Sequence, residues 1–159
     1  MGMKILVVGI GNVLMKDDGI GVYLCGYLKK KRTLIEAEIM ELGVEQWRLS
    51  CIACDFKNVV LVDAVDMGLN PGQCAVWEDV DFMDGKIFSF HSKSFLSELC
   101  IVRAIRKMPE KIYLFGIQPE EICWGRSLSP TLQNRFTFIA EKLVEFIDFL
   151  KKEKIYALH

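Results

Sequence analysis

Gly9-Ile10-Gly11-Asn12-Val13-Leu14-Met15-Lys16-Asp17-Asp18-Gly19 joins an apolar strand to a helix and carries two adjacent acids. The run before it, Met3 to Val8, is rich in Ile, Leu and Val and reads as a strand buried on both faces. Gly9 and Gly11 let the backbone take positive φ or approach another segment closely, and Asn12 tolerates the same left-handed region. The loop is therefore expected to be bent. Asp17 or Asp18 can cap the following helix, where unpaired N–H groups and the macrodipole favour an acid. One acid suffices for that; the second is either a solvated side chain or a group held ready for a cation.

Outward from this loop, the pattern alternates strand and helix. A helix is expected from about Gly19 to Arg32, with Ile20, Tyr23, Leu24, Tyr27 and Leu28 on one face. Ala37 to Leu42 reads as a second strand. Glu45 to Cys54 reads as a short helix with Trp47 and Ile52 in the core, and Lys57 to Val62 as a third strand stopping at Asp63. This alternation predicts an α/β layered fold with a parallel sheet. Only nine residues, including Asn70-Pro71-Gly72, separate Asp63 from the next strand, Gln73 to Glu78. A parallel crossover needs a dozen or more, so the fourth strand should run antiparallel. A long polar and aromatic connection, Asp79 to Phe90, leads to a helix over Ser92 to Lys107 and a fifth strand over Lys111 to Ile117. Ser129-Pro130 opens the last helix as cap and first-turn proline. Its buried stripe is Leu132, Phe136, Ile139, Leu143, Phe146 and Leu150, with Lys151 to His159 as a frayed tail.

Composition narrows the function. The 159 residues are the size of one domain, so a single domain over 1–159 is expected. With 20 basic and 21 acidic side chains there is no electrostatic footprint for nucleic acid or an anionic membrane. The one dense basic cluster, Lys29-Lys30-Lys31-Arg32, suits a helix C-terminus. No apolar run reaches bilayer length, no signal-peptide core opens the chain, and Leu6 breaks a myristoylation pattern after Met1-Gly2. A cytoplasmic protein is the default expectation. Of six cysteines, Cys25, Cys74, Cys100 and Cys123 stand among apolar residues and are expected to be small buried hydrophobes. Cys51 and Cys54 form a CxxC with no second pair at zinc-ribbon spacing.

Ligands of open α/β sheets bind beyond the carboxyl ends of the strands. There the sequence places Asp17 and Asp18 after strand one, Asp63 at strand three, and His91, the only histidine besides the C-terminal residue. Two carboxylates and an imidazole suit a borderline divalent cation such as zinc or nickel and leave positions open for water or substrate. The same residues also admit a plain reading, with Asp63 capping a turn and His91 as an ordinary polar side chain.

Taken together, the motifs resemble those of the hydrogenase maturation endopeptidases, the processing proteases of [NiFe] hydrogenases. The similarity runs from Met3 to about Glu145 and rests on Gly9-Ile10-Gly11-Asn12, Asp17-Asp18-Gly19-Ile20-Gly21, Asp63 through Gly72, His91, and Gly116-Ile117-Gln118-Pro119. The second and fourth are especially similar to the branch that processes the hydrogenase 3 large subunit. The resemblance implies a three-layer α/β/α sandwich on a five-stranded sheet with the fourth strand antiparallel. It implies one proteolytic cut removing a C-terminal extension from the large-subunit precursor after nickel insertion. By position it assigns Asp18, Asp63 and His91 as the metal-contacting and catalytic set; many relatives have Glu in place of Asp18. The nickel on this reading belongs to the precursor, with zinc or cadmium able to substitute in isolation. A cation there would polarise the scissile carbonyl or acidify an attacking water. Glu41-Leu42-Gly43 departs from the usual Asp-Gly-Gly. Phe88, Phe90, Phe95 and Trp124 are candidates either for a groove taking the precursor's tail or for core packing.

Two other classes compete. A dinucleotide-binding oxidoreductase wants a third glycine where Leu14 stands, and each acid about 5 Å from a phosphate charge would repel it by about 3 kcal/mol at an effective dielectric near 20. Glu41 at the end of strand two is the one feature in its favour. A receiver-like signalling domain shares the acids but needs a lysine where Gln118-Pro119 follows the last strand.

Overall fold

The computed structural model describes residues 5–31, 36–45, 47–78, 91–107 and 109–156. The expected start of the first strand at Met3, the helix end at Arg32, the connection Asp79 to Phe90 with its Phe88 and Phe90, and the last three residues lie outside them. Strand β1 (Ile5–Ile10) leads through a 3-10 turn (Lys16–Gly19) into α1 (Ile20–Lys31), and then β2 (Glu38–Gly43). Helix α2 (Trp47–Ile52) continues as a 3-10 turn (Ala53–Asp55) before β3 (Asn58–Ala64). The chain goes on through β4 (Cys74–Glu78), α3 (Ser92–Arg106), β5 (Lys111–Ile117) and α4 (Pro130–Tyr156). The strands form one sheet in the order β2-β1-β3-β5-β4. All neighbours are parallel except β4, which pairs antiparallel with β5, as the short connection requires.

Alternate residues of the central strands face opposite layers, because strand side chains have a period of two. Ile5, Val7, Val60, Val62, Tyr113 and Phe115 meet Ile20, Leu24 and Leu28 of α1 and Leu132, Ile139, Leu143, Ile147 and Leu150 of α4. On the other face Leu6, Val8, Val59, Leu61, Ile112 and Leu114 meet Leu49, Ala53, Phe95, Leu96 and Leu99. This is the expected three-layer sandwich. Helix α1 crosses the sheet at close quarters: a Cβ on Gly21 would lie 2.0 Å from the Val62 carbonyl oxygen.

Several local expectations are corrected. Trp47 is 70% exposed, because the inward face of six-residue α2 is set by Leu49, and Trp47, two positions earlier, lies about 200° round the helix. Strand β3 does not stop at Asp63 but carries it, buried, opposite Gly116. Helix α4 runs on through Tyr156 instead of fraying at Lys151. Its start is as expected, with the Leu132 N–H donating to Ser129 Oγ at 3.4 Å. Cys123 is exposed, and Cys74 and Cys100 are half-buried, so of the four only Cys25 is a fully buried hydrophobe. Leu42 turns into the core while Gly43 takes the positive φ of 58°, so the departure from Asp-Gly-Gly places no leucine over the loop.

Candidate functional site

The first loop bends at Gly11, whose φ is +116° and whose N–H donates to the Gly43 carbonyl at 3.0 Å. Asn12 keeps negative φ; Lys16 takes the left-handed conformation instead, at 46°. Neither acid caps a helix. The two carboxylates, consecutive on a tight 3-10 turn, point in different directions and do different work.

Asp17 is fully buried and accepts three backbone hydrogen bonds from the segment after β5. Ser129 N donates to Oδ1 at 2.7 Å, and Glu120 N and Glu121 N to Oδ2 at 2.9 and 3.1 Å. It fastens one loop to another. Asp18, nearly buried, turns toward the end of β1: Oδ2 accepts the Asn12 N–H at 2.7 Å and lies 3.0 Å from His91 Nε2.

His91 precedes α3, where its carbonyl accepts the N–H groups of Ser94 and Phe95 and so orients the helix entry. The hydrogen bond to Asp18 raises the pKa of its imidazole above the ordinary value of 6.5, with the charges of Asp18 and Asp63 adding to that and partial burial opposing it. The three residues singled out in the sequence therefore share one site, Asp18 and His91 in direct contact and Asp63 near enough for its charge to act on the imidazole. Among the described residues no three His, Cys, Asp or Glu side chains are already spaced to hold a metal ion. The two thiols of the CxxC form no disulfide and donate to the helix carbonyls of Trp47 and Ser50.

Two organising residues were not assigned these roles from sequence. Asp17 is one. Gln118 is the other: its Oε1 accepts the N–H groups of Met67 and Leu69 at 2.6 and 3.2 Å, and its Nε2 donates to Asp66 Oδ1 and the Pro119 carbonyl. It holds the turn after β3 against the end of β5. A glutamine inside a Gly-Ile-Gln-Pro motif beyond a buried strand was the available signal, but the three partners on the turn after β3 lie 49 to 52 residues away. Of the groove candidates, Phe95 belongs to the core and Trp124 is 78% exposed.

Comparison with known proteins gives consistent matches. A family model described as hydrogenase maturation protease matches residues 22–146. The hydrogenase expression/formation protein HupD of Thiocapsa roseopersicina is 31% identical over 149 residues, spanning 91% of this chain and 67% of that protein. The [NiFe] hydrogenase maturation protease HybD of Thermococcus kodakarensis superposes with a TM-score of 0.77 at 26% identity, over 94% of this chain and 99% of the other. The hydrogenase maturating endopeptidase HybD of E. coli gives 0.75 at 25% identity, over 89% and 90%.

Proposed function

The chain belongs to the hydrogenase maturation protease family, and from that premise we propose that it cuts a C-terminal extension from a nickel-loaded [NiFe] hydrogenase large-subunit precursor. Asp18, Asp63 and His91 recognise the nickel of the substrate. The observation that carries this reading is the pairing of Asp18 Oδ2 with His91 Nε2 at 3.0 Å, beside a buried Asp63, at the carboxyl end of the sheet. Two donors about 3 Å apart fit neighbouring positions around one ion with bonds of about 2.1 Å. Two oxygens and one nitrogen suit a borderline divalent cation, and the remaining positions are left to precursor ligands and water. Cation contact there polarises a carbonyl or acidifies water. The side chains of this chain hold and orient it: the Asn12 N–H fixes Asp18, and the head of α3 fixes His91. Among the described residues no helix is long and apolar enough to cross a membrane.

Mixing the protein with nickel-loaded and nickel-free precursor, and following cleavage by gel shift, tests partner, activity and metal requirement together. Only the loaded precursor should be shortened; cleavage of neither, or of both alike, would overturn the proposal.

The raised pKa of His91 gives a second expected outcome. A cation must displace the imidazole proton, so zinc, cadmium or nickel should bind the isolated protein weakly, and more weakly as pH falls through a value above 6.5. Without a cation the sign reverses. His91 holds its proton more tightly folded than unfolded, so its pair with Asp18 stabilises the protein fully below about pH 6.5, and that contribution fades as pH rises through the folded value. Calorimetric titration and thermal melts at pH 5.5, 7 and 8.5 read both trends, and His91→Ala should remove both. Cation binding that persists unchanged in His91→Ala excludes the imidazole as a ligand.

A further inference from the structure

The segment from Gln118 to Ser129 carries the most exposed tryptophan of the described residues, yet its backbone is fastened along its length. Asp17 accepts the N–H groups of Glu120, Glu121 and Ser129. The Lys16 N–H donates to the Gly125 carbonyl and the Gly125 N–H to the Leu14 carbonyl, both at 2.9 Å, making a short parallel bridge to the first loop. Tyr23 Oη donates to the Arg126 carbonyl at 2.5 Å, and Lys16 Nζ pairs with Glu121 at 2.5 Å. The residues that tether the segment, Leu14 to Asp17, run directly into Asp18. Trp124 is thus held at a fixed offset from the Asp18–His91 pair.

None of these tethers uses the indole. Trp124 stands 78% exposed with Ile122 at 49% two residues before it and Leu14 at 39% across the bridge. Two apolar side chains exposed on a braced loop, with a third on the loop bridged to it that runs into Asp18, are not explained by packing, and groups of exposed apolar side chains mark interaction surfaces. A rigid aromatic side chain loses little further freedom on binding, which is why tryptophan dominates the energetics of many protein interfaces. A protease acting on a folded precursor has to hold that macromolecule beside the cut as well as touch its metal.

We propose that Trp124, flanked by Ile122 and Leu14, seats an apolar surface of the precursor next to its scissile segment and sets substrate affinity. This rests on the processing-protease reading above. The chemistry stays with Asp18, Asp63 and His91, so Trp124 acts on binding alone. Trp124→Ala should raise KM for nickel-loaded precursor roughly tenfold or more, with kcat within about twofold of the parent. Trp124→Phe should recover most of the loss. Melting temperature and zinc affinity should not move, because the indole supports neither the fold nor the cation site. Tryptophan fluorescence should shift to the blue when precursor is added, in Trp47→Phe as in the parent, and the shift should vanish in Trp124→Phe. If the parent cleaves precursor and Trp124→Ala does so with the same KM, or loses kcat only, the inference is overturned and the protease reading stands. A parent protein that cleaves no precursor overturns both.

Discussion

Asp17→Asn is expected to cost the fold and Asp18→Asn the reaction, although the two substitutions are chemically identical and one residue apart. The Asp17 carboxylate anchors three backbone N–H groups from a segment more than a hundred residues away. An amide can accept on one side only, and its NH₂ faces at least one of those N–H groups as donor against donor. Hydrogen bonds to a charged acceptor are worth about 1.5–3 kcal/mol each, and a buried orphaned donor adds its own desolvation cost. A loss of about 4 kcal/mol follows, or a fall of roughly 8–16 °C in melting temperature for a domain of this size. At Asp18 a single oxygen, Oδ2, serves both the Asn12 N–H and His91. An asparagine oxygen can take its place, so stability should change by no more than about 1 kcal/mol. What disappears is the negative charge that, on the proposed function, faces the nickel of the precursor. Asp18→Asn, Asp63→Asn and His91→Ala should each process precursor more than about a hundredfold slower while melting close to the parent in chelator. Retained processing by Asp63→Asn, or loss of activity through unfolding in all three, would return these residues to a purely structural role.

That division of labour was only half legible in the sequence. The acid pair and its place after strand one could be read from Gly9 to Gly19, but which acid faces the site depends on donors at Glu120, Glu121 and Ser129. Adjacent positions on a 3-10 turn differ by about 120° in direction, and no local pattern records which side holds the distant chain. The sheet was legible where length and apolar runs decide it. Lys111 to Ile117 emerges with the expected bounds, and the nine-residue connection dictated the antiparallel β4. Reading fails where an element is too short for its period to speak, as at Trp47 on α2. It also fails where a charged residue is buried for a purpose: Asp63 looked like the end of a strand because a carboxylate seldom sits inside one, yet β3 continues to Ala64. His91 was found because it stands nearly alone among imidazoles. Its direct contact with Asp18 spans 73 positions and had no sequence signal.

Gly11→Ala should be the most damaging single methyl group added to the loop. The backbone there has φ of +116°, and an added Cβ would fall 1.9 Å from the Asp18 carbonyl oxygen and 3.5 Å from Asp63 Oδ1. The nearest atom is backbone and cannot swing aside. Relief comes only by straightening Gly11, which breaks its bond to Gly43, or by displacing the turn that carries Asp17 and Asp18. Strained backbone of this kind costs about 1–3 kcal/mol before the clash is counted, so a total near 4 kcal/mol is expected. Activity should fall further than stability, because moving Asp18 by about an ångström spoils a site that acts by position, and a hundredfold loss at a temperature where the variant is still folded is the expected reading. Gly68→Ala supplies the control. Its φ is +67°, but nothing lies within 4 Å of the added Cβ, so only the left-handed cost of about 1–2 kcal/mol applies and cleavage should be retained. Equal loss of cleavage in the two variants would mean that the strain is generic and Gly11 has no special tie to the site. A Gly11→Ala protein that melts and cleaves like the parent would show that the loop can bend another way.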